Sequence, residues 1–564
     1  MLNRFSFCRL YYAFSGIIQT VIFLRKNEKS NTDFKYNFAA RAAVSYFLIL
    51  FLLLARVLRV AVINSQNLGS VAAEQSEYKI AVKRLRGTIY DANMLPLTNN
   101  KKSVLAVVLP TPAAIVTVSG MLKGEEKERF LSVLKSGKPA LCELPREIEC
   151  EGVATTYVYS TEGGITACHV IGYLNSTGHG AAGLEAAYDD LLYDNSYLYA
   201  VVEVDGKGSP LGGSAPRFES ETGAPACGVV STIDIKMQNA VKEAASGINK
   251  GAVVLSEVKT GEIKALLSLP DFDTGNISAY LKNENSPFIN RALLSYSVGS
   301  IFKPCVAAAG IEAGIDGGYF NCTGREYIAD RYFKCHKADG HGKVDLRQAL
   351  AFSCNCFFYN FAALTGGGQI LKTARKFNFG FGIKIADNLK TAAGTLPGAS
   401  ALKNPGGLAN FSIGQGEFAA SPVSMLPLYT AIANKGEYYL PSLIKSTIKD
   451  GKVTPYDKGN PTRAISKNTA DTIKEYLKDV INTGTAEMAA PKTVTAAGKT
   501  ATAQTGRVDS KGQKVSNSWF CGFFPAEEPE YVAIILSEGG NTSATAEVFA
   551  RIADKIAEIA DICS

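Results

Sequence analysis

The stretch VGSIFKP at residues 298–304 determines how the rest of the chain is interpreted. If it opens a helix, Ser300 and Lys303 stand three positions apart, so both side chains rise from one face and the amine reaches the hydroxyl. A desolvated lysine exists as the free amine, which can take the proton of the serine and make it a nucleophile. The N–H groups of a helix start also point at the carbonyl under attack. The stretch therefore predicts a serine nucleophile with a lysine base.

Two later motifs distinguish Ser300 from the other Ser-x-x-Lys sequences of the chain. Such copies lie, for example, at residues 132–135, 256–259 and 442–445. The later motifs are Ser353-Cys354-Asn355 and Lys499-Thr500-Ala501-Thr502. The order Ser-x-x-Lys, Ser-x-Asn, Lys-Thr-Gly is that of penicillin-binding proteins and serine β-lactamases. A literal Lys-Thr-Gly at residues 259–261 precedes Ser300 and is out of order, so we take residues 499–502 as the third motif.

The net positive charge of the chain lies entirely in its N-terminal end. The 564 residues are 46% hydrophobic and 20% charged, as expected for a globular protein of about two to four domains. The formal net charge is +7, and residues 1–64 account for all of it, with nine Lys and Arg against two acidic residues. A nucleic-acid-binding protein carries its positive charge on a folded face, so we expect no nucleic-acid partner.

Two apolar runs, residues 10–24 and 42–55, lie within this basic segment. The second run continues through Ile63 if Arg56 and Arg59 extend toward the lipid headgroups, which makes it long enough to span a membrane. The basic residues before it place the N-terminal side in the cytoplasm and the long C-terminal part outside. A cleaved signal peptide is less well supported, because no clear small-x-small site follows the run. Whether the first run is a second span stays open.

The cysteines allow three interpretations. There are twelve, which is many for an extracytoplasmic protein, and their even number allows disulfide bonds. The pairs Cys142 with Cys150 and Cys322 with Cys335 would close short loops. The ligand types of a zinc site are also present in one group: Cys322, Cys335, His336 and His341. Their spacing fits no standard zinc finger, so we rank a metal site below disulfides or free thiols and assign no metal ligand.

Apolar patterning predicts a β-rich region at residues 65–225. Residues 104–109 form an apolar β-like run, and residues 125–134 have the pattern of an exposed helix. No group of catalytic residues is evident between residues 65 and 225. This region is therefore predicted to be a spacer or docking module.

Residues 226–564 are predicted to form an α+β domain. Asp234 is placed to cap a helix at residues 235–245. Strands are predicted at residues 251–256, 262–267, 519–524 and 531–536, the first two joined by a Thr-Gly turn. Isoleucines at helical spacing predict a final amphipathic helix. Strands at both ends with helices between them indicate one antiparallel sheet with helices packed on it.

With these motifs in place, residues 86–545 resemble a class B penicillin-binding protein, the membrane-anchored D,D-transpeptidase type. Arg86–Asp91 and Gly183-Leu184-Glu185 are similar to the two signatures of that family's pedestal domain, although Ala92 and Met94 replace the usual arginine and glycine. Further short sequences in family order begin at residues 232, 290, 340, 414 and 433. The resemblance implies a penicillin-binding/β-lactamase-like α+β transpeptidase domain at residues 226–564. It also implies a β-rich pedestal at residues 65–225 and a cytoplasmic segment with a membrane-anchor helix at residues 1–64.

The resemblance also implies roles for individual residues. Ser300 would attack the penultimate D-Ala carbonyl of a peptidoglycan stem peptide, with Lys303 as its base, and release D-Ala from an acyl-enzyme. Ser353 and Asn355 would relay the proton to the leaving amine and hold the substrate amide. An amine from a neighbouring strand would then resolve the acyl-enzyme into a cross-link.

The third motif would bind the end of the substrate. Lys499 and Thr500 would supply positive potential and a hydroxyl for the terminal carboxylate, and the N–H groups of Ser300 and Thr502 would bind the oxyanion. Ala501 replaces the usual glycine and adds a Cβ where the strand lies close to the nucleophile. We therefore expect reduced or altered β-lactam acylation relative to an Ala501→Gly variant.

The resemblance implies no metal and no organic cofactor. The implied partners are peptidoglycan stem peptides, β-lactams as covalent inhibitors, the membrane, and an integral-membrane glycan polymerase, because no glycosyltransferase module is visible in the sequence. Near the motifs stand Cys305, Cys354 and Cys356. Buried cysteines act as small hydrophobic residues, so packing is favoured there over redox control, although a thiol-dependent switch stays open.

Two other classes of function remain. A β-lactamase or D,D-carboxypeptidase would transfer the acyl group to water, but the large non-catalytic segment and the pedestal signatures argue against both. A non-catalytic scaffold or β-lactam sensor is suggested only by Ala501. A sensor would need a cytoplasmic signalling domain after its spans, and the sequence contains none, whereas a scaffold would show no covalent labelling of Ser300.

Overall fold

The computed structural model describes residues 33–63, 76–161, 166–211, 213–220, 227–508 and 512–561. The chain divides into two compact units. The first lies within Met1–Tyr78 and Val202–Ser214, and the second comprises Lys79–Val201 and Ala215–Ser564. The apolar run at residues 10–24 lies outside the described residues, so its interpretation as a second span stays a prediction.

Helix α1, Asp33–Leu58, contains the second apolar run. The apolar segment Asn37–Ala61 has 25 residues, and among the described residues it is the one helical segment long and apolar enough to cross a membrane. At a rise of about 1.5 Å per residue this length exceeds the hydrocarbon thickness of a bilayer, which is about 30 Å. Its leucine and phenylalanine side chains are about half exposed, as expected for a helix whose apolar surface is covered by lipid.

The β-rich region begins with a long strand and contains two small sheets, ordered β1-β6-β7 and β4-β3-β5. Its strands are β1 (Glu77–Arg86), β2 (Thr88–Tyr90), β3 (Lys101–Val108), β4 (Ala140–Leu144), β5 (Val153–Ser160), β6 (Tyr193–Glu203) and β7 (Arg217–Ser220). Its helices are α2 (Pro112–Ser119), α3 (Gly124–Lys135), α4 (Cys168–Ile171), α5 (Gly183–Ala187) and α6 (Asp189–Leu192). Apolar residues of α2 and α3 pack with those of β3 and β4 in one core. The predicted strand near residue 104 and helix near residue 125 are thus confirmed.

The helices of the C-terminal region are α7 (Ile235–Ala244), α8 (Lys303–Glu312), α9 (Leu346–Ala351), α10 (Asn355–Thr365), α11 (Gly367–Lys376), α12 (Pro405–Ser412), α13 (Pro422–Ala433), α14 (Lys467–Asn482) and α15 (Thr542–Ile559). As predicted, Asp234 caps α7 by accepting hydrogen bonds from the N–H groups of Lys236 and Met237. The predicted final helix is α15, with its isoleucines Ile552 and Ile556 buried.

The strands of the C-terminal region are β8 (Gly228–Ser231), β9 (Gly251–Glu257), β10 (Ile263–Leu269), β11 (Tyr296–Ser297), β12 (Phe320–Cys322), β13 (Arg325–Ile328), β14 (Arg331–Lys334), β15 (Gly342–Val344), β16 (Lys384–Ala386), β17 (Leu389–Lys390), β18 (Ala419–Ala420), β19 (Glu437–Tyr438), β20 (Ile444–Lys449), β21 (Lys452–Pro455), β22 (Thr462–Arg463), β23 (Ala497–Val508), β24 (Lys514–Phe524) and β25 (Tyr531–Glu538). Five of them form the main sheet in the order β10-β9-β25-β24-β23. All its pairings are antiparallel. The predicted sheet, built from both ends of the region, is confirmed.

Helices cover both faces of the main sheet. Phe520 of β24 packs against Phe549 of α15 at a ring-centroid distance of 4.4 Å. Successive strand residues point to opposite faces, so Trp519 and Cys521 face the other side, where the described chain also buries them completely. Strand β23, which carries the third motif, is an edge strand among the described residues and pairs there with β24. This leaves the other side of β23 available to the first two motifs.

Candidate active site

Ser300 lies in a tight turn that opens helix α8. Residues Gly299–Phe302 form a 3₁₀ turn and α8 follows at Lys303. Gly299 has a φ of +72°, and a Cβ added there would lie 3.3 Å from the Cβ atoms of Ala501 and Ala503. A glycine is therefore required for strand β23 to approach the serine this closely. Ser300 is half-buried, and its hydroxyl has no hydrogen-bond partner among the described residues.

Lys303 connects the first motif to the second. Its side chain is fully buried, and Nζ donates to the carbonyl oxygen of Ser353 at 2.7 Å, to Ser353 Oγ at 3.2 Å and to Asn355 Oδ1 at 2.7 Å. Burial lowers the pKa of Lys303 to about 8, because the ammonium form loses its hydration. The amine can therefore lose its proton near neutral pH, and it lies within reach of two candidate site residues.

The second motif forms a strained turn between α9 and α10. Ser353 has a φ of +54°, a conformation that costs a non-glycine residue about 1–3 kcal/mol and persists where the surroundings impose it. Cys354 caps α10 by accepting a hydrogen bond from the N–H of Phe357 at an N–S distance of 3.5 Å. Asn355 begins α10, and its Nδ2 donates to the carbonyl oxygen of Lys334 at 3.4 Å. The turn thereby presents Ser353 and Asn355 to the same amine.

Lys499 of the third motif is buried on the edge strand β23. Its side chain is 0% exposed, so Lys499 is not one of the solvated charges that are common on edge strands. Nζ donates to the carbonyl oxygen of Thr500 at 3.3 Å. Burial holds the pKa of Lys499 well below its usual value, and the charge of Lys303 lowers it further. The third motif therefore lies beside the first two, as its order in the sequence predicts.

The neighbours of Lys499 on β23 alternate between two sides of the strand. Ala501 pairs with Trp519 and is 3% exposed, facing Gly299. The hydroxyl of Thr500 lies 3.3 Å from that of Thr485, and the hydroxyl of Thr502 lies 2.6 Å from that of Thr542. The methyl group of Ala501 thus meets the turn that holds the nucleophile.

The other Ser-x-x-Lys and Lys-Thr-Gly sequences have ordinary structural positions. Ser132 lies on the exposed side of α3 and donates to the carbonyl oxygen of Arg129 at 2.7 Å. Residues 259–261 form the turn between β9 and β10, where Gly261 has a φ of +71°. These copies are therefore not part of the candidate active site.

A cluster of thiols and one imidazole adjoins the second motif. We call it the thiol–imidazole cluster, and it consists of Cys322, Cys335, His341 and Cys354. The candidate ligand atoms all lie within 4.8 Å of one another. His341 Nδ1 is 3.7 Å from Cys322 Sγ and 3.5 Å from Cys335 Sγ. With metal–ligand bonds of about 2.0–2.3 Å, tetrahedral zinc holds such atoms about 3.5–3.8 Å apart, so ligand number, type and spacing fit zinc.

This geometry corrects two interpretations of the cysteines. Cys142, Cys150, Cys322 and Cys335 are free thiols, so both predicted disulfide pairings are wrong. The fourth member of the cluster is Cys354 rather than His336. The sequence contained a signal for this position, a cysteine inside the Ser-x-Asn motif, but the ligands come from separate segments and match no standard spacing.

Ionisation within the cluster also suits metal binding. Hydrogen bonds from Cys354 and Cys356 hold the pKa of Cys335 far below its usual value, which favours its thiolate, and the same bond to Cys335 raises the pKa of Cys354. Burial lowers the pKa of His341, which favours its neutral imidazole. A thiolate and a neutral imidazole are the forms in which these side chains bind zinc.

Comparison with known proteins agrees with this arrangement. A family model described as the penicillin binding protein transpeptidase domain matches residues 251–558. The peptidoglycan D,D-transpeptidase MrdA of Acinetobacter baumannii is 29% identical over 416 residues, covering 66% of this chain and 59% of that protein, which is less than two thirds of its length. MrdA of Escherichia coli K12 is 26% identical over 615 residues, covering 92% of this chain and 94% of that protein.

Solved structures show the same fold. The D,D-transpeptidase domain of a peptidoglycan glycosyltransferase from Eggerthella lenta is 24% identical, with a TM-score of 0.62, and the match covers 85% of this chain and 99% of that chain. A penicillin-binding protein (PBP2) in complex with MreC from Helicobacter pylori is 19% identical, with a TM-score of 0.62, covering 86% of this chain and 100% of that chain.

Proposed function

Because the chain belongs to the penicillin-binding protein transpeptidase family, we propose that it is a peptidoglycan D,D-transpeptidase acting through a serine acyl-enzyme. The position of Lys303 is the observation that supports this proposal most strongly. Its fully buried amine bonds to both polar residues of the second motif and lies one helical turn from Ser300. The relatives named peptidoglycan D,D-transpeptidase support the choice of substrate, a D-Ala-D-Ala stem peptide.

The first chemical step is acylation of Ser300. Lys303 takes the proton of the hydroxyl, which has no competing partner among the described residues, and the alkoxide attacks the penultimate D-Ala carbonyl. A pKa of about 8 suits this task, since a base works best when its pKa lies near the working pH. Backbone N–H groups of Ser300 and Thr502 bind the oxyanion, each contributing about 3 kcal/mol.

The second motif then assists departure of D-Ala. Ser353 Oγ is 3.2 Å from Lys303 Nζ, a distance at which it can pass the proton from the lysine to the leaving amine. Asn355 holds Lys303 through its side-chain oxygen and has an amide group to bind the peptide bond of the substrate.

Lys499 and Thr500 receive the terminal carboxylate. Burial favours the neutral amine of Lys499 in the free protein, but a bound carboxylate stabilises the ammonium form. An amine of a neighbouring stem peptide then attacks the acyl-enzyme and completes the cross-link. β-Lactams acylate the same serine and act as covalent inhibitors.

The organisation of the chain is part of the proposal. Residues 1–64 comprise a cytoplasmic segment and the anchor, residues 65–225 the pedestal and residues 226–564 the extracytoplasmic transpeptidase domain. The single long apolar helix α1 and the basic residues before it support this topology. An integral-membrane glycan polymerase is the proposed partner at the anchor and pedestal, and stem peptides are the substrate. A solved complex of PBP2 with MreC from Helicobacter pylori is an example of a protein of this fold that assembles with another protein.

Labelling with a fluorescent penicillin tests the function. We expect covalent labelling of the full chain and none of a Ser300→Ala variant. Product analysis with a stem peptide, with and without an acceptor amine, separates the transpeptidase from the hydrolytic alternatives. If the stem peptide is still hydrolysed when an acceptor amine is present, the result favours a D,D-carboxypeptidase. If the chain is not labelled at all, the result favours a non-catalytic scaffold.

A further inference from the structure

The hairpin of β13 and β14 has an exposed face that carries two cations and two aromatic rings. Antiparallel pairing places Arg325 opposite Lys334 and Tyr327 opposite Tyr332. Residues paired directly across two strands lie on the same face, and all four side chains are exposed. The two tyrosines are 62% and 57% exposed. We call these four residues the outward face of the hairpin.

The outward face carries positive charge without a compensating acid. Like charges directly opposite each other destabilise a pair of strands, and Arg325 opposite Lys334 is such a pair. Neither side chain has a salt-bridge partner among the described residues. The one acidic residue in the two strands, Glu326, is paired with the buried Phe333 on the other face. An anionic ligand on the outward face would therefore relieve a repulsion that the fold leaves in place.

The aromatic rings of the outward face suit a carbohydrate. The rings of Tyr327 and Tyr332 pack edge to face, with their centroids 5.2 Å apart. The guanidinium of Arg325 lies 4.6 Å from the ring centroid of Tyr332, a cation–π contact. A tyrosine offers an apolar ring and a polar hydroxyl, so the C–H groups of a sugar can pack on the ring while its hydroxyl groups bond at the edge. Rings and cations together fit an acidic carbohydrate.

The hairpin adjoins the second motif. The carbonyl oxygen of Lys334 accepts hydrogen bonds from Asn355 Nδ2 at 3.4 Å and from the hydroxyl of Tyr359 at 3.2 Å. On the other face of the hairpin, Phe333 packs against Tyr359 with ring centroids 5.6 Å apart. Asn355 also holds Lys303 Nζ. The outward face therefore belongs to a hairpin that is fixed to the residues handling the amine in the proposed mechanism.

This position favours the acceptor strand as the occupant. In the proposed mechanism the donor's terminal carboxylate lies at Lys499 and Thr500 on β23, whereas the attacking amine must give up a proton beside Ser353. The acceptor stem peptide carries carboxylates and is attached to a glycan, so an acceptor strand combines negative charge with sugar rings. An acidic segment of another protein would match the charge but would not account for the position beside the second motif.

We propose that the outward face of the β13–β14 hairpin binds the acidic glycan strand that carries the acceptor stem peptide. The tyrosines contact its sugar rings, and Arg325 and Lys334 bind its carboxylates. The bound strand holds its amine at a high local concentration beside the acyl-enzyme. The amine nitrogen forms the new amide bond, the ester bond to Ser300 Oγ breaks, and the proton lost by the amine returns to that oxygen. Transfer to an amine is thereby favoured over transfer to water.

This inference rests on the proposed function, and variants of the full chain in detergent separate the two. Arg325→Glu reverses one charge and places an opposite charge across from Lys334, so its melting temperature should equal or exceed that of the wild type. Arg325→Lys keeps the charge. Tyr327→Ala combined with Tyr332→Ala removes the rings.

A cation–π contact elsewhere in the chain supplies the matched control. Lys102 Nζ lies 3.4 Å from the ring centroid of the exposed Tyr157 in the β-rich N-terminal region. There the tyrosine hydroxyl donates to Glu147 at 2.7 Å, so an acid is already present. Lys102→Glu should behave as the wild type in every assay below.

The acceptor decides the expected result. With a D-Ala-D-Ala peptide as donor and purified uncross-linked glycan strands as acceptor, Arg325→Glu and the double tyrosine variant should form cross-links about tenfold more slowly, and hydrolysed donor should accumulate instead. With glycine as a small acceptor both variants should match the wild type. Their penicillin labelling should also be unchanged, because these side chains contact neither Ser300 nor Lys303. Arg325→Lys should retain most of the transfer to strands.

Three results would overturn the inference. Unchanged transfer to glycan strands in Arg325→Glu would exclude the charge contact. Equal loss with strands and with glycine, or loss of penicillin labelling, would mean that the hairpin only supports the active site. The same loss in Lys102→Glu would indicate a general effect of surface charge.

A binding assay keeps the inference testable if the proposed function fails. If penicillin does not label the wild type, the proposed function fails, and cosedimentation of a Ser300→Ala chain with purified glycan strands then decides. Binding that Arg325→Glu abolishes would support the site, and binding that Arg325→Glu leaves intact, or no binding at all, would overturn it. If the double tyrosine variant does not fold, Arg325→Glu alone decides in each assay.

Discussion

Asn355 Oδ1 accepts a hydrogen bond of 2.7 Å from Lys303 Nζ, which joins two motifs separated by 52 positions in the sequence. The donor is a fully buried amine, so the acceptor cannot be replaced by water without rearrangement. The link holds the amine on the second motif, while the lysine backbone stands one helical turn from Ser300. Its removal should therefore affect the chemistry more than the fold.

Replacing Asn355 with alanine should slow penicillin acylation about 10–100-fold. Loss of a hydrogen bond from a charged donor costs about 1.5–3 kcal/mol, which corresponds to a rate change of this size. The melting temperature should change little, because Asn355 is only half-buried at the start of α10. Stopped-flow acylation kinetics and a thermal melt measure the two effects. Asn360→Ala, on the exposed side of the same helix, is the matched control and should acylate at the wild-type rate. Equal rates for both variants would contradict the role of Asn355.

The pKa of Lys303, lowered by burial to about 8, predicts how acylation depends on pH. Below pH 8 the amine is mainly protonated and cannot take the proton of Ser300, so the rate should fall as the pH falls. Above pH 8 the free amine predominates and the rate should level off. Second-order acylation rates measured between pH 6 and 9.5 test this expectation. A rate that stays constant across this range would show that Lys303 is not the titrating base.

The order of the three motifs was enough to predict the candidate site, because each motif places its residues on a short local element. The structure brings Ser300, Lys303, Ser353 and Lys499 together as that order predicts. The main sheet was predictable for the same reason, since its strands are long apolar runs. Strand β2 was not predicted to pair in parallel with β8, because that contact joins segments about 140 residues apart.

The environment of the side chains was less predictable than their positions. Lys499 was expected to supply positive potential, yet its complete burial favours the neutral amine in the free protein. The membership of the thiol–imidazole cluster was misjudged because Cys354 already had a place in a motif. The four side chains come from segments around residues 322, 335, 341 and 354, and only the folded chain shows that they meet.

Ala501 should modulate acylation through its contact with the nucleophile turn. Its position on β23 is 3% exposed, and a Cβ at Gly299 would lie 3.3 Å from the Cβ of Ala501. Removing that methyl group should let the strand move closer to Ser300, so we expect β-lactam acylation of Ala501→Gly to be faster than that of the wild type. Fluorescent-penicillin competition assays with several β-lactams measure the change.

Ala503→Gly is the control for this effect. Ala503 is fully buried on the same strand, and its Cβ would lie equally close, at 3.3 Å, to a Cβ added at Gly299, but it stands two residues after Ala501 and outside the third motif. Its replacement should lower the melting temperature without accelerating acylation. Equal acylation rates in the wild type and Ala501→Gly would refute the role of Ala501, and equal acceleration by both variants would indicate a general loosening of the strand.

The ion pair between Arg86 and Glu185 should stabilise the β-rich N-terminal region. Its nitrogen and oxygen atoms lie 2.5 Å apart, with the two side chains only 11% and 6% exposed. Arg86→Ala leaves a buried carboxylate without its cation, and this should lower the free energy of unfolding by about 3 kcal/mol. Burial raises the pKa of Glu185, and loss of the cation raises it further.

The pH dependence of the Arg86→Ala variant shows whether the unpaired charge of Glu185 causes the loss of stability. A carboxylate whose pKa is raised in the folded state destabilises the fold as the pH rises through that pKa, so the defect should be smaller at pH 5 than at pH 8. Adding Glu185→Gln should recover much of the loss at pH 8, because the buried charge is then absent. Denaturant unfolding of the full chain in detergent, followed by the fluorescence of tyrosine and of Trp519, measures each variant at both pH values. A defect that is the same at pH 5 and pH 8, and that Glu185→Gln does not relieve, would mean that Arg86 stabilises the pedestal by packing and not by charge.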